Sequence, residues 1–176
     1  GSDEILRRMN RHYTAASYLD LVASLRTVMP DIGLSTDLIV GFPGESDEDF
    51  EATLDLVGRA QYDSFFSFEY SPRPDTAATR YEDTVPAEIK RERLIRLQEE
   101  QRRIQTRKHA DRIGSSTDVL VEGFSRRTNS DVMGRTSSNQ VVNFPGDASL
   151  IGKVVTVQIV GSSPNSLYGE DPRSSL

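Results

Sequence analysis

A chain of 176 residues, 36% hydrophobic and 27% charged, has material for one ordinary domain or two small ones with buried cores. No apolar run approaches the ~20 residues a bilayer-spanning helix needs, and no basic-then-apolar signal segment opens the chain, so no membrane partner is expected and the cytoplasm is the expected compartment. The absence of cysteine excludes disulfides, thiolate-held metals and iron–sulfur clusters built from this chain's own residues.

The net charge of -6 is unevenly distributed. Residues 1–85 carry 7 basic against 16 acidic side chains, residues 86–112 carry 9 against 5, and residues 113–176 carry 5 against 6. A polyanion is therefore expected to meet the middle of the chain first.

Asp3 is placed to cap a short helix through Ile5, Leu6 and Met9, and Thr14 to cap a second one carrying Tyr18, Leu21, Val22 and Leu25. A strand follows over 32–40, whose Leu38-Ile39-Val40 run reads as buried on both faces. Gly41, Pro43 and Gly44 stop it. Ser46, with Asp49 three residues on, forms a near capping box ahead of a helix with Phe50, Leu54 and Val57 on one stripe. Residues 64–70, rich in Phe, predict a second strand, parallel to the first because a crossover helix separates them. Two such strands cannot cover their own faces. Residues 1–85 are therefore expected to be part of a larger (β/α) barrel, with 71–85 a surface loop at its ligand-binding end.

Pro86 opens a long helix that Gly114 closes, with Ile89, Leu97 and Ile104 as a narrow apolar stripe widened by Leu94 and Ile95. After Gly114 the texture changes. Short runs over 117–124, 132–136, 140–144, 153–160 and 167–170 predict five strands between turn residues, a small all-β barrel of oligonucleotide-binding type. The expected domains are 1–85, a connecting helix over 86–112, and 113–176.

The GFPGE turn, residues 41–45, is either a purely structural turn or the rim of a site for a neutral or cationic ligand such as a nucleoside. Glu45, Asp47, Glu48 and Asp49 would repel a phosphate there. Asp37 is expected to pair with Arg11 or Arg73, and Arg73 alternatively to clamp a carboxylate or phosphate at the barrel mouth. The long helix is either a solvated face laced with i,i+4 pairs or, through Arg102, Arg103, Arg107 and Lys108, a nucleic-acid contact. In the last domain Arg126 and Arg127 on a loop, with Arg135, are the candidates for phosphate contact. Phe124, Phe144 and Tyr168 are either core or stacking faces. No catalytic triad or HExxH-type metal pattern is present.

Taken together, GSDEILRRMNRHYT, STDLIVGFPGESDEDFEATLDLV, YSPRPDTAA, VPAEIKRERLIRLQ, MGRTSSNQVVNF and PNSL closely resemble the C-terminal part of the radical-SAM tRNA methylthiotransferases, in the branch acting on N6-isopentenyladenosine at position 37. The resemblance implies part of a radical-SAM barrel followed by a TRAM domain that grips tRNA. In the complete enzymes it implies S-adenosylmethionine and two [4Fe–4S] clusters, held by cysteines this chain lacks. The chain alone is expected to bind neither cofactor and to be catalytically inactive; a stand-alone RNA-binding module is the alternative. The resemblance places Ile39, Val40 and Gly41 beside the adenine of S-adenosylmethionine, with Ser2, Asp37 and Glu45 as further candidates. Asp37 and the spacing to Glu45 depart from the general GxIxGxxE pattern, and Asp75 stands where the family's SPRPGT has glycine. An open barrel part leaves strand edges and an apolar face uncovered, so self-association is expected.

Overall fold

Four α-helices, two short 3-10 helices and seven strands are described in a computed structural model covering residues 1–125, 128 and 130–170. The chain separates into two compact units, Gly1–Ile104 and Gln105–Leu176.

In the first unit the order is α1 (Asp3–Arg8), α2 (Ala15–Val28), β1 (Ser35–Val40), α3 (Asp47–Ala60), β2 (Ser64–Glu69) and the first part of α4 (Ala87–Ala110). Helix α1 is capped by Ser2, whose hydroxyl accepts from the Ile5 N–H. Asp3, the expected cap, instead accepts from the Ala15 N–H at the start of α2. The caps at Thr14 and Ser46 are both full capping boxes. Strands β1 and β2 run parallel, with Asp37 opposite Phe66 and Ile39 opposite Phe68, as a crossover through α3 requires.

Strand β1 is not buried on both faces. Val40 is 1% exposed, whereas Ile39 is 43%, Phe66 69% and Phe68 52% exposed. Because side chains alternate along a strand, one sheet face packs on Phe50, Val57, Tyr62, Leu97 and Ile104 and the other faces solvent. Tyr62 is buried with its hydroxyl bonded to that of Tyr18 at 2.9 Å; burial first, then this bond, push its phenol pKa upward.

The second unit is a closed barrel of β3 (Ser116–Phe124), β4 (Asp131–Arg135), β5 (Val141–Pro145), β6 (Val154–Ser163) and β7 (Ser166–Glu170), in the order β3-β4-β5-β7-β6 with β6 returning to β3. All neighbours are antiparallel except β5 and β7. Alternate residues Val119, Val121, Val132, Val142, Phe144, Val155, Val157, Ile159 and Leu167 fill it, so Phe144 is core and not a stacking face. Gly134 lies where a Cβ would enter the Leu120 backbone, a strand contact only glycine permits.

Candidate functional site

The turn after β1 is held from within the protein. Gly41 has φ +70°, a conformation glycine adopts without penalty, and a Cβ there would strike the Lys90 side chain. Its N–H donates to Glu45 Oε1 at 2.9 Å. That oxygen also accepts from Arg93 Nη1 at 2.8 Å, while Arg93 Nη2 donates to Asp47 Oδ1 at 2.6 Å. Arg93 and Glu45 are both buried, making a desolvated pair to which the Gly41 N–H and the Asp47 carboxylate add further hydrogen bonds. Burial pushes the Glu45 carboxyl up, and the Gly41 N–H and Arg93 pull it partly back. Lys90, also buried, reaches Asp83 Oδ2 at 2.5 Å.

Two of the four carboxylates that crowd the start of α3 thus share one arginine. A third, Asp49, reciprocates the Ser46 cap and accepts from the Ser2 hydroxyl. Burial raises its pKa, but the Ser2 and Ser46 hydrogen bonds outweigh this and hold it below the usual value. The Val40 carbonyl accepts from the Tyr70 N–H at 2.8 Å. The Gly41 N–H and Val40 C=O are therefore already engaged, while the Asp37 and Ile39 side chains of β1 are exposed.

Ser2, Asp37, Ile39 and Glu45 line one cavity of about 150 Å³ between α1, α2 and β1, smaller than the roughly 300–1,000 Å³ of an enclosing small-molecule pocket. Asp37 is exposed and makes no ion pair among the described residues, so neither expected arginine reaches it. Arg73 lines a second, larger cavity of about 540 Å³ at the carboxyl ends of β1 and β2, together with Arg8, Arg11, Phe42, Phe68 and Tyr70. Phe42 packs edge-on against Tyr70, ring centroids 5.2 Å apart. Among the described residues no group of three or more His, Asp or Glu could hold a metal ion. With no cysteine in the sequence, the donor set does not fit an iron–sulfur cluster.

Sequence reasoning missed Lys90 and Arg93. The signal was there: 90, 93, 97, 101 and 104 fall at helical spacings of three and four, and all are buried, so the core stripe of α4 begins with two cations. Ile95, expected to widen that stripe, is 50% exposed.

Of the basic residues assigned to nucleic acid, Arg102 is exposed on α4 and Arg103 pairs with Glu100 at 2.6 Å. Arg107 and Lys108 sit in the last turn of that helix. Arg135 on β4 lies 3.3 Å from Glu122 Oε2 and donates to the Asn139 side chain at 3.0 Å. Arg126 and Arg127 lie outside the described residues. The buried His109 ring Nδ1 lies 2.8 Å from the Ser163 carbonyl oxygen, a structural tie.

Residues 1–57 match the radical SAM superfamily and residues 111–170 the TRAM domain. A tRNA-2-methylthio-N(6)-dimethylallyladenosine synthase of Clostridium botulinum (strain Okra / Type B1) is 47% identical over 97% of this chain and 38% of its own length. Proteins of the same name from Syntrophobacter fumaroxidans and Legionella pneumophila are each 48% identical, over 97% and 96% of this chain. The chain spans 37–38% of the length of these curated relatives. Radical-SAM sequence over residues 1–57, TRAM sequence over residues 111–170 and alignment over 96–97% of the chain make it similar, along nearly all of its length, to part of the tRNA-2-methylthio-N(6)-dimethylallyladenosine synthases.

Proposed function

We propose that this chain forms the C-terminal part of a tRNA-modifying methylthiotransferase, supplying one wall of an S-adenosylmethionine site and an RNA-gripping barrel. The observation that carries the reading is the ordered pair of matches, radical SAM then TRAM, within an alignment of 47% identity over 97% of the chain. The parent would act by 2-methylthiolation of N6-isopentenyladenosine, as the names of its relatives suggest, on tRNA in the cytoplasm.

On this reading β1-α3-β2 is a piece of a (β/α) barrel whose solvent-facing side looks inward, and Ile39 offers its apolar side chain to the ligand. Ser2, Asp37 and Glu45 border the same cavity, with Ser2 and Glu45 acting chiefly through the hydrogen bonds that fix the turn. When bound, S-adenosylmethionine would supply the alkyl radical and the methyl group; the cluster that cleaves it has no ligands here, and no step is assigned to these residues. The domains would be 1–85, the helical connection 86–112 and the TRAM barrel 113–176, with RNA contacts from Arg102, Arg103, Arg107, Lys108, Arg126, Arg127 and Arg135.

The alternative, a stand-alone RNA-binding module, draws on the closure of the barrel, which completes its own core. One experiment addresses both. Incubated with tRNA, S-adenosylmethionine and reductant, the 176-residue chain should retain tRNA at low salt, release it as salt rises, and yield no 2-methylthio product by mass spectrometry. Product from this chain alone overturns the assigned division of labour, and failure to retain tRNA overturns the RNA-binding part.

A further inference from the structure

Helix α4 (Ala87–Ala110) lies between the two matched stretches, since the radical SAM match ends at residue 57 and the TRAM match begins at 111. By those matches it is only a connection. Its first two turns nevertheless bury two cations, Lys90 and Arg93, 7% and 5% exposed. A basic side chain on a helix ordinarily keeps its charged head in water, and burying that head carries a desolvation penalty that only well-placed partners offset. Arg93 finds such partners in the turn after β1, and Lys90 packs against the same turn.

Arg93 Nη1 donates to Glu45 Oε1 at 2.8 Å and to the Glu45 carbonyl oxygen at 3.2 Å, Nη2 donates to Asp47 Oδ1 at 2.6 Å, and the guanidinium carbon lies 5.5 Å from the centre of the Phe50 ring. Glu45 Oε1 also accepts from the Gly41 N–H at 2.9 Å, so one carboxylate ties the Gly41 amide to α4. The Lys90 stem occupies the space a Gly41 side chain would need. Its Nζ reaches Asp83 at 2.5 Å and lies 5.3 Å from the centre of the Tyr70 ring, and the Tyr70 N–H donates to the Val40 carbonyl. Both cations thereby bear on the backbone at 40–41. Stability alone does not call for this arrangement, because an apolar side chain of similar volume fills a core without desolvating a charge. A guanidinium fork adds direction, holding two carboxylates and a carbonyl in fixed relation.

We propose that Arg93 and Lys90 are positioning residues for S-adenosylmethionine, Arg93 acting through Glu45 and Lys90 through its packing on Gly41 to hold the end of β1 where Ile39, 43% exposed, meets the ligand. A wall already in place leaves less to be ordered when the ligand arrives. The inference rests on the reading of β1 as one wall of that site, and it extends the site to a helix outside the radical SAM match.

The test uses the complete methylthiotransferase with its clusters in place, and reads S-adenosylmethionine affinity by equilibrium dialysis beside the urea midpoint of the same preparations. Arg93→Met removes the fork, and adding Glu45→Gln removes the carboxylate that this change strands, so the double variant stays folded even where the single one does not. The double variant should regain much of the urea midpoint yet still bind S-adenosylmethionine roughly tenfold more weakly than wild type, a loss on the scale of one hydrogen bond. Arg93→Lys keeps the charge without the fork and should bind as weakly. Arg96→Met, which removes an exposed pair with Glu51 on the same helix, is the control and should change affinity less than about twofold. Ile39→Ser probes the wall itself. If Ile39→Ser weakens binding while affinity returns with stability in the double variant, Arg93 is structural only and the inference falls alone. If Ile39→Ser leaves the affinity unchanged, β1 is not a wall of the site, and that reading falls together with the inference.

Discussion

At the scale of single residues, the turn after β1 is governed by Lys90 and Arg93, two side chains about fifty positions away in sequence. Removing Arg93 leaves the buried Glu45 carboxylate facing only one N–H, and breaking a buried pair this way costs about 3–5 kcal/mol. Arg93→Ala should therefore lower the urea midpoint substantially, and adding Glu45→Gln should recover part of the loss; a change below about 1 kcal/mol would show the pair to be dispensable. Gly41→Ala forces a side chain into both a left-handed backbone and the Lys90 stem, and should cost at least about 1 kcal/mol. Asp49 sets an acid limit. Its folded pKa lies below the ordinary value of 3.8, so the folded state favours the ionised form, and the associated stability is present above that pH and is lost as pH falls through the folded value. Ser2→Ala should therefore lower stability at neutral pH, where both the Asp49 hydrogen bond and the α1 cap are lost, and flatten the acid limb of a stability–pH curve because less of that stability remains to be titrated away. Glu45 works in the opposite sense: with its pKa raised, ionising it as pH rises past 4.5 offsets some stability.

At the scale of elements, what could be read in advance depended on whether the cause was local. The N-cap at Thr14, the capping box at Ser46, the parallel pairing of β1 with β2 and the five barrel strands follow from caps, an intervening crossover helix, period-two alternation and turn residues close together in sequence. The bounds of the barrel strands fall within a few residues of those expected. The two-sided burial of β1 did not hold, because an apolar triplet reports composition and not which side a neighbour will cover. The buried cations of α4 escaped for a related reason: Lys and Arg bury their stems along apolar surface, and a stripe read only from Ile and Leu passes over them. At the candidate site the residues near the turn were legible, while Arg8 and Arg11 could join Arg73 only through the fold. The barrel also supports a prediction of its own. Gly134→Ala places a methyl group in the Leu120 backbone, so it should unfold the barrel, seen as collapsed amide dispersion confined to residues 113–170, while the Phe50–Tyr62 core of the first unit keeps its signals.

At the scale of the whole molecule, the barrel closes its own edges and the two-stranded sheet does not. Ile39, Phe66 and Phe68 on one sheet face are each more than 40% exposed, an apolar surface that favours association. Sedimentation velocity should therefore show concentration-dependent self-association that Phe66→Ser with Phe68→Ser reduces; a monomer at every concentration would rule this out. None of the described helices is long and apolar enough to cross a membrane, so this face is not explained by a helical membrane span.

The clasp between Gly41, Glu45, Lys90 and Arg93 also constrains how the sequence can drift among species. A side chain at 41 meets a left-handed backbone that no change at 90 relieves, and loss of the cation at 93 strands the acid at 45. Position 41 should therefore stay glycine across relatives, while substitutions at 45 and 93 should appear together and an isolated change at either should be rare.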